Sequence, residues 1–346
     1  MVNESIATES IIEPGLPIVD SHHHLCWLTE SSFPVLFNPP PTEDYEILRA
    51  LMPVHRRRSR YLLEDFLSDV NTGHNVRATV YIQGGSMYRA DGPENMKSVG
   101  EIEFANGVAA MSASGVFGDV RACAGIVGGV DLHLDEYVVE EVLRAHVHAG
   151  NGRYRGIRGG SIFGSGRYDK QFRAGFKWLH RLGLSYDAFT LEPWLPELVD
   201  LARAFPETQI ILNHVGLPVG FGRYTGTRGD RFDIWRKSMR MLTACHNVAV
   251  KLGGLGMPIG GFRSFMSNPP ATSEQLASEW GPYIHTCIES FGANRCMFES
   301  NFPADSLSCT YPVIWNAFKR LAAGASNEEK TALFSGTATS LYRLNI

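Results

Sequence analysis

Short β-branched apolar runs alternate with amphipathic stretches along most of the chain. Apolar runs bounded by Gly, Pro, Asn or Asp predict buried strands, and apolar residues recurring every three to four positions predict helices. Strands are expected at 17–21, 75–83, 120–127, 155–158, 184–189, 208–213, 247–252 and 295–299. Helices are expected at about 61–72, 100–114, 134–149, 170–182, 194–204, 232–244, 273–291 and 311–323, with a further one at 328–342. Strands that alternate with helices build parallel β-α-β units, and eight such units predict a closed (β/α)8 TIM barrel of the α/β class. An open doubly wound sheet would need a Gly-rich phosphate turn after its first strand. A run of histidines stands there instead. The segment 25–60 is Pro-rich and poor in periodicity, so it is expected as an N-terminal insertion loop over the barrel mouth. Residues 1–346 read as one barrel domain.

Composition narrows the classes. Of 346 residues, 44% are hydrophobic and 20% charged, which excludes a disordered chain. No apolar run of about 18 residues exists, so no membrane partner is expected. A net charge of −4 gives no global attraction for nucleic acid. The one basic run, from His55 through Arg56, Arg57 and Arg58 to Arg60, reads as a solvated or substrate-facing loop. Six cysteines occur without a C-x-x-C pair, and the N-terminus lacks a signal-peptide layout. A reducing, cytoplasmic setting is the expectation.

In a barrel of this kind chemistry sits where strands end at their C-terminal side. The first strand runs Pro17-Ile18-Val19-Asp20 into Ser21-His22-His23-His24. Strand alternation puts Asp20, His22 and His24 on one face and His23 on the other. Two imidazoles two residues apart can grip one metal ion or one substrate oxygen. His214 leaves the sixth strand just where Gly216 and Pro218 turn the chain. Arg158 ends the fourth strand beside glycines, and a guanidinium there suits a carboxylate or an oxyanion. Gln83 ends the second strand as a candidate hydrogen-bonding partner for substrate. Glu192, after the fifth strand, reads either as a ligand or as a solvated acid. Lys251 lies within an apolar strand and requires a partner. Glu299, in the neighbouring strand, is the partner expected for it. Asn301 should reach the mouth, with Asp305 in the loop that follows.

The stretches V-D-S-H-H-H, I-L-N-H-V-G-L-P and M-F-E-S-N-F-P-A-D, in that order, resemble the amidohydrolase superfamily. The similarity is greatest to its amidohydrolase-2 group, which includes lactonases and pyrone-dicarboxylate hydrolases and, more distantly, metal-dependent decarboxylases. It runs from about Pro17 to Tyr342. The resemblance implies a (β/α)8 barrel whose strand-end histidines, here His22, His24 and His214, bind a divalent metal or polarise a carbonyl directly. It also implies a strand-eight aspartate as general base, but Asn301 stands at that position, and an amide takes no proton from water at neutral pH.

The expected function is therefore hydrolysis of a small, anionic cyclic ester, or of a related ester or amide. A metal, zinc before others, would be held by His22, His24 and His214, with Asp305 or Glu192 as proton acceptor. In a metal-independent site the same histidines and Arg158 would stabilise the oxyanion. Non-oxidative decarboxylation of an aromatic acid is the alternative reaction, and Asn301 argues against it. Gln83, Arg158, Glu192 and Lys251 are the candidate substrate contacts. A small-molecule substrate is the expected partner, and a homodimer is compatible with a barrel of this size.

Overall fold

The computed structural model describes residues 9–31, 33–42, 45–159 and 168–346. Strand β1 (Pro17–His23) leads into a small antiparallel pair, β2 (Cys26–Trp27) with β3 (Arg60–Tyr61). Between these two short strands lie helices α1 (Pro34–Phe37) and α2 (Glu46–Arg57), followed by α3 (Leu63–Val70). Regular strand–helix units then succeed one another: β4 (Asn75–Ile82), α4 (Val99–Ala113), β5 (Arg121–Gly128), α5 (Glu136–Ala149), β6 (Tyr154–Gly159) and α6 (Lys170–Arg181). They continue with β7 (Ser185–Ala188), α7 (Leu195–Ala204), β8 (Ile210–Leu212), α8 (Arg228–Thr243), β9 (Val248–Leu252), α9 (Ser273–Phe291), β10 (Cys296–Phe298) and α10 (Tyr311–Leu321). Eight strands form one parallel sheet in the order β1-β4-β5-β6-β7-β8-β9-β10. A bridge between His23 and Phe302 joins the exit of β10 to β1 and brings the sheet round into a TIM barrel.

The elements depart from the sequence expectation in two places. The segment 25–60 carries a helix, α2, although it holds Pro53. Tertiary packing stabilises it: Ile47 and Leu51 lie against Leu191, Leu217, Met257 and Ile259 of the loops around the mouth. The described part of the insertion therefore covers the barrel mouth as a lid. The closing helix is also broken, into α11 (Asn327–Thr331), a π-helical turn over Ala332–Gly336 and α12 (Thr337–Leu341). The Ser335 hydroxyl donates to the Thr331 carbonyl at 3.1 Å, the kind of side-chain bond that bends a helix.

The lower half of the barrel interior is apolar, filled by Val19, Ala78, Val80, Ile82, Val127, Ile211, Ala249 and Met297. Tyr342, just after α12, joins this cluster and is fully buried. Its hydroxyl donates to Asp187 Oδ2 at 2.7 Å, and Lys251 Nζ reaches the same oxygen at 2.8 Å. The chain's last helix thus supports a buried ion pair between β7 and β9. Removing the hydroxyl with Tyr342→Phe should destabilise the fold by about 1.5–3 kcal/mol, the range for a hydrogen bond to a charged group. Denaturant unfolding checks this, and an unchanged midpoint would show that the bond contributes nothing.

Candidate active site

The histidines of β1 are placed by a bulge. Pairing with β4 shifts register between Asp20 and His23, so simple alternation fails there. Asp20 does not share the face of His22. Its carboxylate accepts from Ser300 Oγ at 2.6 Å, Ser300 N at 2.9 Å and the Tyr311 hydroxyl at 3.0 Å. His23 faces outward, stacked on Phe66 with its Nε2 2.8 Å from Thr79 Oγ1. His22 points into the barrel and His24 into the cavity above it.

Glu299 organises the centre. Its Oε1 accepts from His214 Nδ1 at 2.6 Å and from the His214 backbone N–H at 3.1 Å, and its Oε2 lies 2.8 Å from His22 Nδ1. The expected Lys251–Glu299 pair is replaced by Lys251–Asp187. Lys251 lies level with Met297 of β10, below Glu299, and extends to Asp187 of β7. Its ammonium also lies 3.3 Å from His22 Nδ1, and Asn213 Nδ2 is 3.1 Å from the same nitrogen. Burial above all, then the nearby cations, holds His22 and His214 well below the usual histidine range. Burial, then Arg158, does the same to His24. All three are neutral at pH 7. Burial pushes the Glu299 carboxyl up to about 8, against the pull of Lys251.

The backbone around His214 is unusual. His214, Val215 and Leu217 have φ of 56°, 47° and 40°, a left-handed region that costs a β-branched residue such as valine most. Gly254, at φ 67°, lies so close that a Cβ there would stand 2.2 Å from His214 Nδ1.

A cavity of about 160 Å³ opens above these groups. His24, Arg158, His214 and Asn301 form its polar wall, and Leu51, Val54, His55 and Arg58 close it from the lid side. Arg158 donates to the Gln83 carbonyl at 2.6 Å and lies over the Phe189 ring, and it has no carboxylate within ion-pair reach among the described residues. Gln83 takes part through this backbone carbonyl, while its side chain packs on Gly129. Glu192 does not line the cavity and binds Arg231 of α8 through Oε2, with Nε at 2.7 Å, so the structure does not bring it to the other candidate groups. Asp305 does not line the cavity either. Its two oxygens accept from Asn301 Nδ2 at 2.7 Å and from Gly256 N at 3.0 Å, and burial pushes its carboxyl up to about 8.

Sequence reading missed Glu299 as a clamp on two histidines, and it missed Glu101. One oxygen of this buried carboxylate, from α4, takes the Tyr81 hydroxyl at 2.9 Å and the backbone N–H of Gly84 and Ser86 at 2.8 and 3.1 Å, fixing the loop after β4. Period alone marks Glu101 as an ordinary helical acid.

The ring nitrogens test whether a divalent ion fits. His24 Nδ1 lies 2.8 Å from the Ile82 carbonyl, which only accepts, so this nitrogen carries the proton and Nε2 is bare. His22 Nε2 faces that bare nitrogen at 3.2 Å. The gap holds either a proton on His22 or a cation between two lone pairs. Two nitrogens bound to one tetrahedral zinc at 2.0–2.1 Å stand about 3.3 Å apart, so the pair fits. Backbone anchoring of the far nitrogen is the usual support of a ligating histidine. Among the described residues, His22, His214 and Glu299 form a donor group within 4.8 Å that could hold a metal ion. His24 is not in that group, so the three histidines expected as one ligand set are divided between two arrangements that share His22.

The family model for Amidohydrolase (Amidohydro_2) matches residues 19–344, and the chain belongs to that family. It is a hydrolase. It is 35% identical over 344 residues to the uncharacterized protein y4mH of Sinorhizobium fredii, covering 95% of this chain and 99% of that protein. It is 28% identical over 181 residues to L-fucono-1,5-lactonase of Burkholderia multivorans, covering 51% of this chain and 57% of the lactonase. A crystal structure of an amidohydrolase from Burkholderia multivorans with bound zinc superposes with a TM-score of 0.70 at 23% identity, over 95% of this chain and 99% of that one. That likeness shows the barrel fold. No described helix is long and apolar enough to cross a membrane.

Glu299 gives a pH prediction. Its carboxyl titrates near 8 in the fold and near 4.5 when exposed, so the folded state binds the extra proton. Stability from this group is full below about pH 4.5 and is lost as pH rises through 8. In metal-stripped protein, Glu299→Gln should gain melting temperature relative to wild type between pH 5 and pH 9. A pH-independent difference would refute the assignment.

Proposed function

We propose that this hydrolase adds water to the carbonyl of a compact, anionic cyclic ester, a lactone. Arg158 carries the reading. It is a partly buried guanidinium beside His24 and His214, with no carboxylate partner among the described residues, and such a group draws a carboxylate. Arg58 and His55 of the lid line the same cavity, while Leu51, Val54, Phe189 and Met257 suit a ring. The lactonase relative supports an ester over an amide.

His214 is the proton acceptor in this reading. Glu299 holds its Nδ1, which leaves Nε2 to the cavity, and the neutral ring can accept. The attacking water forms its bond to the carbonyl carbon as its proton passes to His214. The ring C–O bond then breaks, and that proton goes to the departing oxygen. Arg158 holds the carboxylate so that the carbonyl lies against His22 and His24. A divalent ion held by His22 and His24, zinc by analogy with the Burkholderia multivorans amidohydrolase, would polarise that carbonyl as a Lewis acid. Without an ion, the proton on His22 Nε2 would donate to the developing oxyanion.

His22→Ala should cost at least about 10²-fold in kcat on either version, the scale of one lost oxyanion donor. Near-normal turnover would sink both. Elemental analysis of protein purified without chelators separates them: the metal reading expects about one equivalent, lost together with activity on chelation. Arg158→Met should raise KM for a carboxylate-bearing lactone at least tenfold while sparing a neutral one. Equal losses on the two would remove the anionic-substrate assignment. Release of CO2 from an aromatic acid, with no lactone turnover, would replace hydrolysis by decarboxylation.

A further inference from the structure

Asn301 stands where a carboxylate is expected, yet a carboxylate lies one hydrogen bond behind it. Its backbone N–H donates to the His22 carbonyl at 2.9 Å, and the next residue, Phe302, accepts from the His24 N–H at 2.8 Å. These bonds fix Asn301 beside both histidines, in a left-handed conformation with φ 53° that asparagine adopts more readily than most residues. Asp305 is fully buried and has no ion-pair partner among the described residues. Both Asp305 oxygens accept, Oδ2 from Gly256 N and Oδ1 from Asn301 Nδ2 at 2.7 Å, so the Asn301 amide turns its NH2 toward Asp305. The amide oxygen is then the acceptor that Asn301 offers to the cavity it lines. Gly256 completes the arrangement. Its N–H occupies Asp305 Oδ2, and a Cβ there would meet the Asp305 carboxyl at 2.9 Å.

We infer that Asn301 Oδ1 is the acceptor that orients the attacking water, and that Asp305 is a positioning residue that fixes the amide in that sense. The inference rests on the hydrolytic reading above, with His214 still taking the proton. The carboxyl that position 301 lacks acts through its amide from four residues further along the chain. Donation to the Asp305 oxygen polarises the amide and strengthens its own oxygen as an acceptor.

Exchanging the two residues is the test. Asp305→Asn leaves one acceptor oxygen for two donors, Asn301 Nδ2 and Gly256 N, so the amide at 301 loses its enforced orientation. This variant should lose about tenfold to 10²-fold in kcat with KM little changed, within the range for a misplaced catalytic group. The double variant Asn301→Asp with Asp305→Asn satisfies every bond again. The amide introduced at position 305 would donate to the new carboxylate at 301 and accept from Gly256, and a carboxylate oxygen would face the cavity. It should recover most of the lost kcat with a changed acid limb in the pH profile. A purely structural pair predicts something else: Asp305→Asn lowers melting temperature but not kcat, and the exchange restores stability with the pH profile unmoved. Crystal structures of wild type and Asp305→Asn give a readout independent of turnover. An ordered water on the cavity side of residue 301 in wild type, displaced in the variant, supports the inference even if no lactone is hydrolysed. In that case only the functional reading fails. Wild-type density with the NH2 toward the cavity overturns the inference even if lactones are turned over.

Discussion

Glu299 lies between two imidazoles, and the orientation of the whole centre follows from that contact. A carboxylate without a cation bonded to it is costly inside a barrel, and the cost is offset only if its oxygens are bonded. Here one oxygen holds the ring and the backbone of His214, whereas the other lies 2.8 Å from His22 Nδ1 without a hydrogen bond of its own, in keeping with the raised carboxyl. Both rings are thereby turned with Nδ1 toward the barrel axis and Nε2 away from Glu299. The loop after β9 yields space for this. A Cβ on Gly253 would meet the Glu299 carbonyl oxygen at 2.4 Å, and one on Gly254 would strike His214. The left-handed backbone at His214 and Val215 is the strain that the clamp maintains.

Below this centre the interior is apolar and above it the cavity opens, so the Lys251–Asp187 pair sits at the boundary. It is fully buried, and a hydrophobic pair of similar volume is often no worse for stability. Its position explains its presence better than stability does: the ammonium faces His22 Nδ1, and Tyr342 supports the carboxylate from below. Lys251 and Arg158 share the interior with Asp187 and, further out, with the buried carboxyls of Glu101 and Asp20, while Glu299 is drawn toward its neutral form.

Much of this was legible beforehand, for physical reasons. The barrel follows from alternating periodicities, which report burial directly. The histidines of β1 and β8 stand out because polar residues at strand ends are rare unless used. What sequence could not supply was the direction of side chains across the barrel. Lys251 and Glu299 lie on adjacent strands, so pairing them was natural, but barrel tilt sets Glu299 above Lys251 and level with the imidazoles. Glu192 has acidic chemistry and the right neighbourhood, yet Arg231, 39 residues away on α8, takes it. The bulge after Asp20 is invisible to a strict period of two. The lid was read as a loop because its apolar residues are few, and those few gain their value from the mouth they cover.

The lid also accounts for the basic run at residues 55–60. Its members do different things. Arg56 donates to the Phe37 carbonyl within the lid, Arg60 pairs with Asp65 at the surface, and Arg58 lines the cavity. Arg58 Nε donates to Ser306 Oγ at 2.8 Å, so the lid is fastened to the residue next to Asp305. Cavity closure and the setting of the Asn301 amide therefore share one short segment, 301–306. A ligand anion that drew Arg58 inward would compete with Ser306 for the same guanidinium, and the strand-eight loop would feel the exchange through its neighbouring residue. Arg58 of the lid is thus tied, through Ser306, to the segment that holds Asp305 behind Asn301.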